Sequence, residues 1–441
     1  MQIIRKRIIA ITCFILGFLC INAVLTFALK PYKGASELMW SDYHKEVELD
    51  MVFVGSSVVR QGFNPYIIEE ETGLKSYNMG TSSQSLNRSY IAIKTAIEEH
   101  PIQRVILGME YSAMSKEQSK DLEALFLQAK NYGEPIDKQL QTSLEFMLNE
   151  ENIDTVYSLN YLFPWIYNHV LPMSPDSIIN NVKKKINNCD KESGYVGKGF
   201  VGLDGELDYN TVGGNFTRLL YSEEFTEESY EWLDKICSLC KANEVELIVI
   251  NTPRPVYDVI SYGKEYFDRM NELEQFLSER EVEYYDFNLA KPELFESKES
   301  YFIDSEHMNR TGADTFSKSF SKFLLLSGEE CDIKKKCFYS VEEYMNSIDY
   351  ISSVYFEAEQ ENLELNICAE AFCGTQVLVE YEIEIYEEKS GECIKKRDYN
   401  KESRWGYVVD NPGNYIIRVN ARVQGSEKEF DRYCERTVVV E

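Results

Sequence analysis

Histidine and positive charge are both scarce in this 441-residue chain. Only His44, His100, His169 and His307 are present, scattered and with no H-E-x-x-H pair. Metal-dependent hydrolysis therefore lacks its usual ligands. The chain sets 46 basic residues against 74 acidic ones, for a formal net charge of -28. Such a surface repels phosphate backbones, which argues against nucleic acid as a partner, and it also disfavours broad adhesion to anionic lipid. The same charge serves solubility. No P-loop is present, no G-x-G-x-x-G follows a predicted strand, and no G-x-S-x-G elbow occurs. Nucleotide use and an α/β-hydrolase elbow are thus not indicated, and no cofactor is called for. No repeat of solenoid or propeller period is found.

Long apolar runs are also rare, with one exception. Arg5, Lys6 and Arg7 precede an uncharged stretch from Ile8 to Leu29, closed by Lys30. At about 1.5 Å per residue this stretch spans roughly 33 Å, enough to cross a bilayer core. The basic cluster predicts a cytoplasmic tip and a body outside the cytoplasm. A cleaved signal peptide is the rival reading, with Thr26-Phe27-Ala28 as its cleavage tripeptide. Cys20 follows Leu19 rather than a small residue, which argues against lipoprotein processing.

The remainder is rich enough to fold: 44% of the residues are hydrophobic and 13% aromatic. From about residue 50, short apolar strands alternate with helical stretches. Strands are expected at Met51–Val54, Ser76–Met79, Arg104–Met109, Glu244–Ile250 and Glu283–Phe287. Helices are expected at Leu86–Glu99, Glu228–Ala242, Lys264–Arg280 and about Gly312–Leu326. Continuous apolar strands separated by helices predict an α/β fold, a doubly wound parallel sheet with its site at the strands' C-terminal ends.

Three expected parts follow. Residues 1–30 form the tip and transmembrane anchor. Residues 31–328 form the α/β domain, interrupted by a helical insertion at about 112–226 with a glycine-rich loop. Residues 329–441 form an all-β, sandwich-like domain, because Val379, Tyr381, Ile383 and Ile385 alternate with glutamates and the two-residue period returns from Tyr415 to Val423. The insertion's Tyr157, Tyr161, Phe163, Trp165 and Tyr167 have the spacing of a buried helix face, with sugar stacking as the alternative. Of eleven cysteines, six lie after residue 330, and their pairing is not readable from sequence. Cys237 and Cys240 form a CxxC within a helical pattern, more in keeping with buried thiols than with redox or metal chemistry.

Two segments point to chemistry. Val54-Gly55-Ser56-Ser57 turns from the first strand toward a helix, where a serine hydroxyl and backbone N–H groups meet at a strand's C-terminal edge. Asp304-Ser305-Glu306-His307 lies before the last helix, and three-residue spacing in a turn brings a carboxylate to Nδ1 while leaving Nε2 for a serine. Thr311 and Asp314 have the spacing of a helix cap there. None of the other three histidines has a carboxylate three residues before it.

These blocks resemble the SGNH (GDSL-type) hydrolases over residues 50 to 326, with GSS in place of GDS. With the anchor, they look like the DltD-like and exopolysaccharide O-acetylation proteins of bacterial envelopes. The resemblance implies Ser57 as nucleophile with Asp304 and His307, and the N–H groups of Ser57 and Gly80 as an oxyanion hole. The third block falls at Gly108-Met109-Glu110-Tyr111, where Glu110 stands in place of the oxyanion-hole asparagine. An ionised carboxylate cannot donate, and losing one such donor costs about 10²–10³ in rate. Arg60, Asn64 and Asn78 are the candidate substitutes or substrate-binding groups. The implied activity is an extracytoplasmic serine esterase or O-acyltransferase acting on acylated envelope carbohydrate, with a membrane-bound acyltransferase as a candidate partner. The alternative is an SGNH-fold module, weak or inactive in catalysis, that binds glycan or protein.

Overall fold

A computed structural model describes residues 2–29, 35–118, 174–187, 194–210, 224–327 and 332–441. Met51, Val52, Phe53 and Val54 are all buried, as a strand covered on both faces must be. This strand, β1 (Met51–Val54), pairs in parallel with β2 (Ser76–Asn78) on one side and β3 (Arg104–Gly108) on the other. After a small antiparallel pair, β4 (Tyr195–Gly197) and β5 (Phe200–Val201), the main sheet resumes with β6 (Glu246–Asn251) and β7 (Glu283–Asp286). Its order is β2-β1-β3-β6-β7, parallel throughout. Chain direction across the sheet reverses between β1 and β3, so the crevice beyond those two C-terminal ends is where a doubly wound sheet places its site. The glycines from Gly197 to Gly202 turn the β4–β5 hairpin and open no helix.

Helices cover both faces. They are α1 (Gln2–Leu29), α2 (Ala35–Tyr43), α3 (Ser57–Gly62), α4 (Pro65–Thr72), α5 (Leu86–Glu99), α6 (Tyr111–Ser115), α7 (Pro175–Asn187), α8 (Glu227–Ala242), α9 (Val256–Ser261), α10 (Gly263–Ser278) and α11 (Arg310–Ser327). One core, containing Val52, Val54, Val105 and Leu107, lies under α2, α5, α8 and α10. The other contains Met51, Phe53, Ile106 and Ile248 under α3, α4 and α11. In the second, Phe320 packs edge-on to Phe53 and Phe63 at 5.9 and 5.0 Å between ring centroids.

Helix α11 begins two residues earlier than the sequence indicates. Its cap is Asn309, whose Oδ1 accepts from Gly312 N at 2.9 Å. Asp314, expected in that cap, instead accepts from Asn64 Nδ2 at 2.8 Å.

Helix α1 is long and apolar enough to cross a membrane, with a mean hydropathy of 2.7 and none of its apolar window buried. Its last carbonyls meet α7: Asn181 Nδ2 donates to Ala28 O at 2.8 Å and Lys185 Nζ to Phe27 O at 2.5 Å. The insertion's aromatic run from 157 to 167, and His169, lie outside the described residues.

The all-β part begins later than residue 329. Residues 332–348 still belong to the α/β layers: α12 (Ile333–Cys337) adds Ile333 and Cys337 to one core, and α13 (Val341–Ser347) with Ile348 adds to the other. Beyond them lie β8 (Ile351–Glu361), β9 (Glu364–Cys373), β10 (Val379–Glu387), β11 (Cys393–Asn400), β12 (Arg404–Val408), β13 (Gly413–Val423) and β14 (Arg432–Val440). They form two antiparallel sheets, β11-β10-β13-β14 and β12-β9-β8, around a shared core of Ile367, Ile383, Ile417 and Val419. The sandwich meets the α/β body through Tyr355 and Phe372, which pack with Tyr209 and Tyr257, and through Arg432 bonded to Glu299 at 2.5 Å.

Among the described residues every cysteine is a free thiol. Cys237 and Cys240 are buried on α8, and burial pushes their thiols up to about 11 and about 12, which leaves them unreactive at neutral pH.

Phe320 has no exposed surface. Phe320→Ala is expected to destabilise the fold by about 3–5 kcal/mol, read from the midpoint of denaturant unfolding; a loss under about 1 kcal/mol would mean that the aromatic cluster does not form.

Candidate active site

The nucleophile candidate is positioned by glycines. At Gly55 a Cβ would lie 2.6 Å from Val59 Cγ2 and 2.9 Å from Gly108 O; at Gly108 a Cβ would lie 2.1 Å from Val59 Cγ2. At Gly80 it would lie 2.7 Å from Arg60 N and 3.0 Å from Ser56 O. Three strand ends therefore give up their side chains so that α3 can sit directly on them. Ser56 caps this helix, accepting from Val58 N at 3.4 Å, and Ser57 opens its first turn.

The histidine arrives from the other end of the chain. An antiparallel bridge between Phe302 and Met308, both buried, closes the loop that carries it. Within the loop Asp304 Oδ1 accepts from Glu306 N at 2.8 Å and from His307 N at 2.7 Å. The Asp304 carboxylate lies 2.9 and 3.0 Å from His307 Nδ1. His307 Nε2 lies 2.8 Å from Ser57 Oγ, across 250 positions of sequence. With Nδ1–H donating to Asp304, Nε2 is left to accept from the serine hydroxyl, the tautomer that general-base catalysis requires. Partial burial pushes the Asp304 carboxyl up, but the hydrogen bond and charge of His307 and the two backbone N–H groups outweigh it and hold the carboxyl below its ordinary value.

The remaining residues singled out from sequence take structural places. Asn78 is fully buried: its Nδ2 donates to Val59 O and Phe63 O at 2.8 and 2.9 Å, and its Oδ1 accepts from Gly80 N at 3.0 Å. The Gly80 N–H is therefore already engaged, and Asn78 has no group left for substrate. Asn78 is thus committed to the fold, and Gly80 N–H meets an oxyanion only by leaving Asn78 Oδ1. Asn64 caps α4, bonding Tyr66 N and Asp314, and so binds the fold rather than a ligand. Arg60 is half-buried on α3 and does not line the cavity that Ser57 faces.

That cavity has a volume of about 530 Å³, and its walls include Ser83, Gln84, Ser112, Asn251, Tyr266 and Glu306. Another, of about 400 Å³ beside β7 and α12, holds none of the three triad side chains.

Three charged residues of the Ser57 cavity, Glu110, Arg254 and Glu306, cluster beside the triad. Ser56 Oγ donates to Glu110 Oε1 at 2.5 Å, and Ser112 Oγ approaches Glu110 Oε2 at 3.3 Å. Arg254 follows β6, and its guanidinium donates to Tyr262 Oη at 2.8 Å and Asp258 Oδ2 at 3.2 Å. It also lies 4.0 Å from Glu110 and 3.8 Å from Glu306. Burial pushes the Asp258 carboxyl up to about 6, against the pull of Arg254. Sequence reasoning missed Arg254 and Asp258. The readable signal was an arginine three residues beyond a buried parallel strand, at the sheet edge where such folds keep their sites.

A family model matches residues 204–326, the stretch that carries Arg254, Asp304 and His307. No curated protein matches the chain. Solved structures similar to it include a proposed acylhydrolase from Bacteroides fragilis, 8% identical, covering 67% of this chain and 99% of its own, with a TM-score of 0.32. A GDSL-like lipase from Bacteroides thetaiotaomicron is 7% identical, covers 65% of this chain and 99% of its own, and has a TM-score of 0.30.

A carboxyl whose folded pKa is lowered adds stability above its unfolded value, near about 4, and that stability is lost as the pH falls through the lower folded value. Wild-type and Asp304→Asn chains are therefore expected to differ in unfolding midpoint at about pH 6 and to converge as the pH falls through the lowered folded value. A constant difference across that range would contradict the assignment.

Proposed function

We propose that this chain is a membrane-anchored serine esterase or O-acyltransferase acting on acyl esters of envelope or exopolysaccharide carbohydrate. The observation that carries the reading is the continuous chain from Ser57 Oγ through His307 to Asp304. Ser57 Oγ attacks the ester carbonyl carbon while His307 Nε2 takes its proton and Asp304 steadies the imidazolium. The C–O bond to the leaving alcohol then breaks, and the alcohol takes the proton back from His307. The acyl group rests on Ser57 until water or a sugar hydroxyl, deprotonated by His307, removes it. Water makes the chain an esterase; a sugar makes it a transferase. The Ser57 N–H is the first oxyanion donor, and Gly80 N–H joins it only by leaving Asn78 Oδ1.

The cavity walls favour a polar substrate. Hydroxyl groups from Ser83, Ser85 and Ser112 suit a sugar better than a lipid chain. Helix α1 supplies the membrane anchor, and the basic residues at its start favour an extracytoplasmic body. A body held at that surface suits acyl groups delivered by a membrane-bound acyltransferase. Glu110, in the place of an amide donor, favours a second reading, an SGNH-fold module that binds glycan or protein without turnover.

A serine-directed fluorophosphonate separates the two. Labelling of wild type that disappears in Ser57→Ala, with aryl-acetate turnover reduced by about 10⁴-fold or more, is the expected result; an unlabelled wild type favours the binding module. Adding a candidate glycan acceptor to the aryl-acetate reaction then divides the branches. Acetylated glycan at the expense of free acetate marks a transferase, and unchanged acetate release an esterase.

A further inference from the structure

Glu110 and Ser56 sit next to the reacting groups without belonging to the triad. Both are buried, with 9% of their surface exposed, and the 2.5 Å hydrogen bond between them has a donor and an acceptor of fixed polarity: the Ser56 hydroxyl gives and the Glu110 carboxylate receives. A buried carboxylate needs a counter-charge, and Arg254, 8% exposed, is 4.0 Å away. The same guanidinium lies 3.8 Å from Glu306. Ser56 immediately precedes the nucleophile and Glu306 immediately precedes the general base.

We infer that Glu110 and Arg254 are positioning residues, the middle of a charged strap Ser56–Glu110–Arg254–Glu306 that runs beside the Ser57–His307 hydrogen bond and holds its two sides together. This inference rests on the acyl-serine reading above and deepens it.

Arg254 is a suitable centre because its own place is fixed independently. Its backbone N–H donates to Asn288 Oδ1 at 2.8 Å, and its guanidinium is held by Tyr262 and Asp258. The two strap carboxylates thus face a cation that does not have to be ordered when they pair. At 3.8 to 4.0 Å the contacts to them are ionic rather than direct hydrogen bonds. The Glu110–Arg254 pair lies among largely buried groups and is screened much less than a surface pair, while Glu306 keeps 42% of its side chain exposed.

The strap also accounts for two departures from the SGNH pattern together. Serine at 56 is one atom shorter than the aspartate of GDS, and glutamate at 110 is one methylene longer than the block's asparagine. An aspartate at 56 with an asparagine at 110 would have the same combined reach, the amide donating to the carboxylate, so the two positions can be exchanged as a unit.

The test uses the full chain, solubilised, with fluorophosphonate labelling rate and aryl-acetate kinetics as readouts. Glu110→Ala is expected to slow labelling and lower kcat by about 100-fold, the scale of a slight misplacement of reacting groups, with KM little changed. Glu110→Gln, whose amide oxygen still accepts from Ser56 but offers no charge to Arg254, is expected to fall between wild type and Glu110→Ala. Combining Ser56→Asp with Glu110→Asn is expected to recover at least about tenfold over Glu110→Asn alone, which a residue needed only for folding would not do. Arg254→Met and Glu110→Ala together are expected to lose much less than the product of their separate losses, as members of one network do. Should Glu110→Ala fail to fold, Ser56→Ala, which leaves the Glu110–Arg254 pair intact, is expected to show a comparable kcat loss. A labelled wild type with Glu110→Ala or Ser56→Ala reacting at its rate overturns the strap alone. An unlabelled wild type overturns the acyl-serine reading and the strap with it.

Discussion

A helix comes within backbone contact of three strand ends only if those ends carry no side chains, and the site depends on that constraint. Val59 fills the space left by Gly55 and Gly108, while the backbone of α3 lies on Gly80. Asn78 then bolts the helix down by donating to the carbonyls of Val59 and Phe63. Ser57 is thereby fixed at the switch point of the sheet, on a turn whose conformation is decided by packing before any substrate arrives. A side chain at any of the three glycines would lift the helix and carry the serine away from an imidazole 2.8 Å distant.

The second half of the site is built by a different device. The loop bearing His307 is closed by the Phe302–Met308 bridge and tightened by Asp304, which accepts two backbone N–H groups as well as facing the imidazole. One carboxylate thus shapes the loop and orients the ring. Glu110, Glu117 and Glu306 line the cavity, against Arg254 and Lys116 as its cations. Within a chain of net charge -28, such a cavity suits a neutral ester better than an anionic one, in keeping with the proposed carbohydrate substrate. The sandwich abuts this region through Tyr257 on α9, the helix that also carries Asp258, so its docking supports the arginine from behind.

Much of the fold is legible in the sequence because β1, β3 and β6 are buried on both faces and read as unbroken apolar runs, while α5 and α8 announce themselves by helical period. The boundaries that shift do so for local reasons. Asn309 rather than Thr311 caps α11, because Asp314 is drawn away to Asn64. Residues 332–348 read as the start of the β domain because their helices are too short to show a period. At the site, GSS and DxxH are visible as local spacings. Asn64 and Asn78 look like ligand groups in sequence, yet each is consumed by backbone and cap bonding that only the assembled fold supplies. The Glu110–Arg254 contact joins elements more than a hundred positions apart, and no local pattern encodes it.

In the proposed mechanism Ser57 Oγ carries the acyl group. Acid-quenched peptide mapping of the full chain during turnover of an aryl acetate is therefore expected to find one acetyl group on the peptide containing Ser57, absent from Ser57→Ala. Turnover with no acetyl on that peptide, or with the acetyl on a different residue, would contradict it.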